Sequence, residues 1–265
     1  MKIIILGGMG FEKELVSLFR DFSVVLIGGK YDLKKESFHR VDGCEFFSEF
    51  VTENYYEIFS GGDVFIDVSI NNKSKYLTWN FTAYYKKICY ILLFNDGWKI
   101  YKFDENGCLN CVKSYTSSLP YVLLPELESS KVICFFESEK VSLTGRENFC
   151  FDLTSGKKVE PDFSKCSSEH KNFDFMNGKM SDIVSVSCGE NLVVVSPMND
   201  VTIDLGRLKE NLKNHVGILK ENMFFLEFKV EKFNVQIFRH GRTVVKGTKE
   251  KNTALFIYYN YAGVV

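Results

Sequence analysis

Three glycines follow the first apolar segment of the chain, at positions where a nucleotide phosphate could be held. Residues 2–6 are an apolar run rich in β-branched side chains, which is typical of a strand buried on both faces. Gly7, Gly8 and Gly10 come next, and glycines allow backbone N–H groups to approach a phosphate. The alternative is a tight turn that only links a strand to a helix. Glu12 favours that alternative, because its carboxylate would repel phosphate where a last glycine is expected.

Three of the eight cysteines could bind a metal ion. Cys108 and Cys111 form the one C-x-x-C arrangement, directly after a glycine, and zinc prefers four thiolate or imidazole ligands. Cys166 and His170 offer a third thiolate and an imidazole, with Glu169 as the alternative fourth ligand. Such a site would be structural, because four protein ligands leave no open position for catalysis. The sequence leaves open whether zinc is present.

The order of the apolar segments that position these residues predicts an α/β protein. Buried strands separated by a helix or a break indicate a Rossmann-like, mostly parallel sheet with helices on both faces. A smaller α+β domain is expected to follow it. The predicted domains are residues 1–178, which include the zinc-knuckle region, and residues 179–265. The predicted elements are strands at residues 2–6, 23–27, 63–67, 88–93, 98–103, 132–136 and 149–153, a hairpin over residues 181–195, and helices at residues 205–212 and 252–259.

The composition excludes several classes of protein. With 265 residues, 45% of them hydrophobic and a net charge of -1, the chain is neither disordered nor basic enough to attract nucleic acid or anionic membranes. Its longest apolar runs are far shorter than the roughly 20 residues of a membrane-spanning helix. The apolar opening leads into a glycine turn, which is not the pattern of a secretory signal. We therefore expect a cytoplasmic protein with reduced thiols.

Motifs along the chain resemble those of a known family. Residues 235–248 read VQIFRHGRTVVKGT, and an alanine, two tyrosines and a glycine follow. This is similar to the ending F-x-x-G-R-x-x-x-x-G-T … A … Y … Y-x-G of the ThiF/MoeB/HesA family, which is related to the ubiquitin-activating enzymes. Residues 63–80 resemble its strand and helix with the motif D-A-T-D-N, and residues 107–111 resemble its first zinc knuckle. These motifs occur in the order that the family has.

The resemblance implies a reaction and a set of candidate residues. Family members adenylate the C-terminal glycine of a small ubiquitin-fold protein with Mg-ATP. That chemistry needs phosphate binding, an arginine, a lysine and an aspartate for magnesium. The candidates for cofactor binding in this chain are Gly7, Gly8, Gly10, Asn71 and Lys75.

Several positions depart from the family pattern. Ile70 stands at the position of the magnesium aspartate, and an alkyl side chain cannot ligate magnesium. Gly28 and Gly29 stand where the family has acids that bind ribose. The remaining candidates for catalysis are Arg40, as an arginine finger, and Asp67.

Two functions from different classes are predicted. The first is a degenerate member that does not adenylate by itself. It would bind a ubiquitin-fold or sulfur-carrier protein, or pair with an active ThiF-like subunit and lend it Arg40; a homodimer is also implied by the family. The second is an active adenylyltransferase for a ubiquitin-like protein or a small carboxylate. Its magnesium would then be held by Asp67, Asp63 or Glu12.

Overall fold

The chain divides into two compact units. A computed structural model describes residues 1–49, 55–70, 72–94, 96–113, 120–161, 183–187, 191–197 and 201–262. Unit 1 consists of Met1–Lys30, Phe38–Ser117 and Glu126–Lys179, and unit 2 consists of Tyr31–Ser37, Ser118–Pro125 and Met180–Val265. The sequence places a single boundary after residue 178, whereas this division also assigns two short segments from earlier in the chain to unit 2.

Within the described residues, unit 1 is built on an eight-stranded sheet. Its order is β10-β9-β8-β7-β6-β1-β2-β5. The neighbours from β5 through β2, β1 and β6 to β7 are parallel, and those from β7 to β10 are antiparallel. The strands of this sheet are β1 (Lys2–Gly7), β2 (Ser23–Gly28), β5 (Glu45–Phe47), β6 (Val64–Asp67), β7 (Ile88–Phe94), β8 (Trp98–Phe103), β9 (Phe149–Asp152) and β10 (Lys157–Val159). Between β2 and β5 along the chain, β3 (Tyr31–Asp32) and β4 (Ser37–Phe38) form a separate two-stranded sheet.

Alternating residues of the central strands bury two faces of this sheet. Cys89 and Ile91 of β7 belong to one apolar cluster, which includes Trp79 from the helix before that strand. The ring of Tyr90 lies on the other face, with its centroid 5.4 Å from that of Phe136. The helices of this unit are α1 (Glu12–Leu18), α2 (Tyr55–Phe59), α3 (Asn72–Tyr84), α4 (Leu109–Lys113) and α5 (Ser129–Glu139). The predicted α/β class is therefore confirmed.

The strand predicted at residues 132–136 is wrong. These residues belong to α5, whose buried side chains are Val132, Phe135, Phe136 and Glu139. Their spacing of three, four and seven residues from Val132 is that of one helix face. The short apolar run concealed this helical period because periodicity alone cannot separate a buried strand from a buried helix over five residues.

Unit 2 contains a six-stranded antiparallel sheet in its described part. The order is β11-β12-β16-β15-β14-β13, and β15 alternates buried and half-buried residues as a sheet with one covered face does. The pairing of β11 with β12 confirms the predicted hairpin. None of the helices among the described residues of either unit has the length and apolar character that crossing a membrane requires. The elements are β11 (Ile183–Val186), β12 (Leu192–Ser196), α6 (Leu205–Leu212), β13 (Gly217–Glu221), β14 (Phe225–Val230), β15 (Phe233–Phe238), β16 (Thr243–Lys246) and α7 (Lys251–Tyr261).

A network around Glu36 ties the segment 31–37 into unit 2. Glu36 Oε2 accepts hydrogen bonds from Thr248 Oγ1 at 2.5 Å and Thr253 Oγ1 at 3.1 Å, and Lys232 Nζ lies 2.6 Å from Glu36 Oε1. Tyr31 Oη lies 2.8 Å from Thr253 Oγ1. Burial acts to raise the pKa of Glu36, but the hydrogen bonds from Lys232, Thr248 and Thr253 outweigh it and hold that pKa below its usual range.

Candidate functional site

The candidate site lies where the carboxyl ends of β1 and β6 meet. These strands are parallel neighbours, and Leu6 is paired with Asp67. The glycine loop follows β1 and the Ser69–Ile70 turn follows β6. The two turns touch, because a Cβ placed on Gly8 would lie 3.0 Å from the backbone nitrogen of Ile70. In sheets with parallel strands, this edge is where ligands bind.

The glycine loop encloses the side chain of Glu12. This side chain is buried, with 2% of the residue exposed. Its Oε1 atom accepts hydrogen bonds from the backbone N–H groups of Gly8, at 2.6 Å, and Gly10, at 2.9 Å. Only glycine fits at position 7, because a Cβ there would lie 2.5 Å from Glu12 Cγ. Gly10 has a φ of +94°, a region that other residues rarely adopt. The loop is therefore shaped around its own carboxylate.

This arrangement does not fit a nucleotide phosphate. The two N–H groups that would face a phosphate at Gly8 and Gly10 already donate to Glu12. A second anion in the same position would also meet the buried negative charge of that carboxylate. Of the two interpretations of the glycines, the geometry favours the tight turn, with Glu12 as the group that stabilises it.

Asp67 is a buried carboxylate saturated with hydrogen bonds. Its Oδ1 atom accepts from the Ser69 backbone N–H at 3.0 Å and from Ser69 Oγ at 2.6 Å. Its Oδ2 atom accepts from Ser74 Oγ at 3.0 Å and Thr78 Oγ1 at 2.9 Å, both on α3. Burial raises the pKa of Asp67, against the opposing effects of the Lys75 charge and the hydrogen bonds from Ser69 and Thr78. These bonds attach the start of α3 to the end of β6.

Among the described side chains of this turn, the same geometry leaves no ready ligand for magnesium. Each oxygen of Asp67 holds two donors, so a metal ion could bind only by displacing them. Ile70, at the position that the resemblance compares with the magnesium aspartate, is buried and offers no oxygen from its side chain. The described residues at this edge therefore do not fit Mg-ATP.

Lys75 is a buried cation beside Asp67. It stands in the first turns of α3, and only 6% of the residue is exposed. Burial lowers the pKa of Lys75 to about 8, and the charge of Asp67 partly opposes that effect. The structure thus places Lys75 near Asp67, and its role in cofactor binding stays a prediction. Asn71, the neighbouring candidate, lies outside the described residues.

Arg40 lies on the surface after β4. Its Nε atom is 3.7 Å from Asp42 Oδ1, and both side chains are largely exposed. Ion pairs of this kind contribute little to stability. The structure shows no group that fixes the guanidinium for catalysis within the described part of this chain, so its role as an arginine finger stays a prediction.

The two described cysteines of the predicted zinc site lie in the core of unit 1. Cys108 and Cys111 belong to the apolar cluster around Trp79, whose Nε1 donates to the Gly107 carbonyl at 3.0 Å. They supply half of a zinc ligand set. The other candidate ligands, Cys166, His170 and Glu169, lie outside the described residues. Among the residues that are described, no group of three or more histidine, cysteine or acidic side chains could hold a metal ion.

Sequence reasoning missed the hydroxyl groups that hold Asp67. Ser74 and Thr78 are four residues apart and therefore share one face of a helix, a signal that was readable from the predicted helix. Ser69, two residues after Asp67, is a typical local donor to an aspartate. The sequence predicts that the Glu12 carboxylate repels phosphate, but it does not predict the hydrogen bonds that this carboxylate accepts from Gly8 and Gly10.

Comparison with known proteins adds no family to this description. No family model matches the chain, and no curated protein matches it. The class that its fold defines is an α/β protein with a large, mostly parallel sheet and a second, antiparallel sheet.

Proposed function

We propose that this chain is a degenerate member of the ThiF/MoeB/HesA family that binds a protein partner without adenylating it. The partner would be a ubiquitin-fold or sulfur-carrier protein, or an active ThiF-like subunit. The observation that carries the proposal is the Glu12 carboxylate inside the glycine loop. On this proposal the sheet of unit 1 is Rossmann-like, and the Glu12 carboxylate occupies the N–H groups that would otherwise bind a nucleotide phosphate.

The loss of adenylation is supported at three neighbouring positions. Adenylation requires N–H groups for the phosphates and an acid for magnesium. Glu12 takes the N–H groups, Asp67 is saturated, and Ile70 is an alkyl side chain. Restoring activity would therefore require more than one substitution.

The partner-binding half of the proposal is supported by unit 2. The motif that begins at residue 235, which resembles the ending of family members, folds into β15, β16 and α7. The inward side chains of its strands, such as Val235, Ile237 and Val245, are fully buried. Arg239 and Arg242 of the same motif are exposed on the turn between the strands. A module that keeps its core and its charged turn after the nucleotide residues have changed is consistent with selection for binding.

One observation favours an active enzyme as the alternative. Asp67 and Lys75 are both buried, with pKa values displaced from the ordinary ones, and such pairs occur at catalytic sites. ATP–pyrophosphate exchange in the presence of a ubiquitin-fold protein distinguishes the two functions. Exchange that is lost in Asp67→Asn would establish the enzyme. No exchange in the unaltered chain supports the pseudoenzyme.

Direct binding to purified partners tests the proposal itself. The immobilised chain is presented with ubiquitin-fold proteins and ThiF-like enzymes from its own organism, with and without Mg-ATP, in biolayer interferometry. We expect binding to one of them at micromolar concentration or below, with no change on adding Mg-ATP. A ubiquitin-fold protein lacking its C-terminal glycines is the matched control for tail recognition. Failure to bind every member of both classes would contradict the proposal.

A further inference from the structure

We infer that Glu12 is a built-in anion, which occupies a nest of N–H groups in the glycine loop and holds the loop in an anion-bound form without any ligand. This inference deepens the proposed function: it rests on the proposed loss of nucleotide binding, and it does not depend on the partner. It gives the loop a latent affinity for a small oxyanion, such as inorganic phosphate, that appears only when the carboxylate is removed.

The first support is the convergence of two donors on one oxygen. The N–H groups of Gly8 and Gly10 are two residues apart, yet both donate to Glu12 Oε1, at 2.6 and 2.9 Å. Successive N–H groups that point at one position form a nest for anions. Each bond is charge-assisted, and such bonds are about twice as strong as those between neutral groups.

The second support is the burial of the carboxylate. Only 2% of Glu12 is exposed, so the carboxylate depends on the loop in place of water for its hydrogen bonds. Its neighbour Glu14 lies on the same helix and is exposed. Both acids lie in the first turn of α1, two residues apart, but only Glu12 is buried. Glu14 is therefore the matched control.

The third support is the charge beside the nest. Truncating Glu12 would leave the N–H groups of Gly8 and Gly10 without their acceptor. Lys30 is exposed, and its Cδ lies 3.7 Å from the position of a Cβ on Gly10. Its ammonium group can reach the loop from solvent, which favours an anion over a neutral ligand.

The unaltered chain should not bind phosphate at this loop. An external anion would have to displace a carboxylate that is attached only a few residues away, at an effective concentration of millimolar or more. The latent affinity therefore becomes measurable only in a variant.

Thermal unfolding of Glu12→Ala tests the inference. The unaltered chain, Glu12→Ala and Glu14→Ala are compared in 50 mM inorganic phosphate and in sodium chloride of equal ionic strength. We expect Glu12→Ala to unfold about 5 °C or more below the unaltered chain in chloride and to recover about 3 °C or more in phosphate. The other two proteins should share a smaller response to phosphate, which measures its general effect on protein stability.

Glu12→Gln separates charge from shape. Its amide oxygen can still accept from the loop, so we expect an intermediate unfolding temperature and no excess response to phosphate. The inference is overturned if folded Glu12→Ala responds to phosphate no more than Glu14→Ala does. If Glu12→Ala is unfolded in chloride, its far-ultraviolet circular dichroism must recover in phosphate, and failure to recover would also overturn the inference. Partner binding does not enter these readouts, so the proposed function can fail or hold independently.

Discussion

Each unit of this protein contains a hydrogen-bonded acid, Asp67 in unit 1 and Glu36 in unit 2. The pKa values of these two acids are shifted in opposite directions. In unit 1, Asp67 is fully buried among hydroxyl and amide donors, and burial raises its pKa. In unit 2, Glu36 retains some exposure, and hydrogen bonds that include one from Lys232 lower its pKa. The number of hydrogen bonds is similar, so the depth of burial and the strength of the cationic partner decide the direction.

The comparison bears on function because it shows what a displaced pKa means in each place. Asp67 has the raised pKa that is usual for a catalytic acid, but all its acceptor positions are occupied by the turn and helix that it joins. Glu36 performs the same structural task with a lowered pKa. Geometry therefore outweighs pKa in assigning a role to Asp67.

The largest effect is expected from Asp67→Ala. Four donors lose their acceptor, and Lys75 becomes a buried cation without its nearby opposite charge. We expect the free energy of unfolding to fall by about 4 kcal/mol, measured by urea denaturation. Asp42→Ala, which alters an exposed acid, should change it by less than about 0.5 kcal/mol. A loss of under about 1 kcal/mol in Asp67→Ala would show that the network does not stabilise unit 1.

Lys75→Met should change how stability depends on alkaline pH. The pKa of Lys75 is about 8 in the folded chain and 10.5 ordinarily, so the unfolded chain binds more protons between these values. Stability contributed by this residue therefore rises with pH across that window. Relative to Lys75→Met, the unaltered chain should gain up to about 3 kcal/mol between pH 8 and 10.5.

Urea denaturation at four pH values from 7 to 10.5 measures this gain. The difference between the two proteins removes the contribution of tyrosines that titrate in the same range. Lys73→Met, on the same helix, is the matched control for loss of a lysine. Equal pH dependence of the unaltered chain and Lys75→Met would mean that Lys75 is not a buried cation.

Glu36→Gln should have a smaller effect with the opposite pH dependence. Because the pKa of Glu36 is lowered, its contribution is complete above the ordinary value of 4.5 and is lost as the pH falls through the lower folded value. We expect a loss of about 1 to 2 kcal/mol at pH 7 that shrinks below pH 4.5, measured by chemical denaturation. A loss that stays constant down to pH 3 would contradict the role given to its charge.

Arg40→Ala should have the smallest effect on the chain itself. Its side chain is exposed and its ion pair with Asp42 is long, so the free energy of unfolding should change by less than about 0.5 kcal/mol. If Arg40 serves a partner enzyme, the same variant should lower that enzyme's rate while binding is kept. A large loss of stability would show that the exposed position is wrong.

Local sequence signals predicted the elements better than the site. Continuous apolar runs indicated β1, β2 and β6, and the helix predicted at residues 205–212 is α6. The inclusion of residues 31–37 in unit 2 depends on contacts of Glu36 with residues about 200 positions away, which no local pattern contains. The closure of the loop by Glu12 depends on which way one side chain turns, and sequence alone does not show that.

Calorimetric titration of the unaltered chain with Mg-ATP tests most directly the claim that its glycine loop is closed by its own carboxylate. We expect no heat of binding up to millimolar ATP, because Gly8 and Gly10 already donate to Glu12 and Asp67 has no position left for a metal ion. Binding at micromolar ATP would contradict this claim, and would mean that the loop releases Glu12 to hold phosphate.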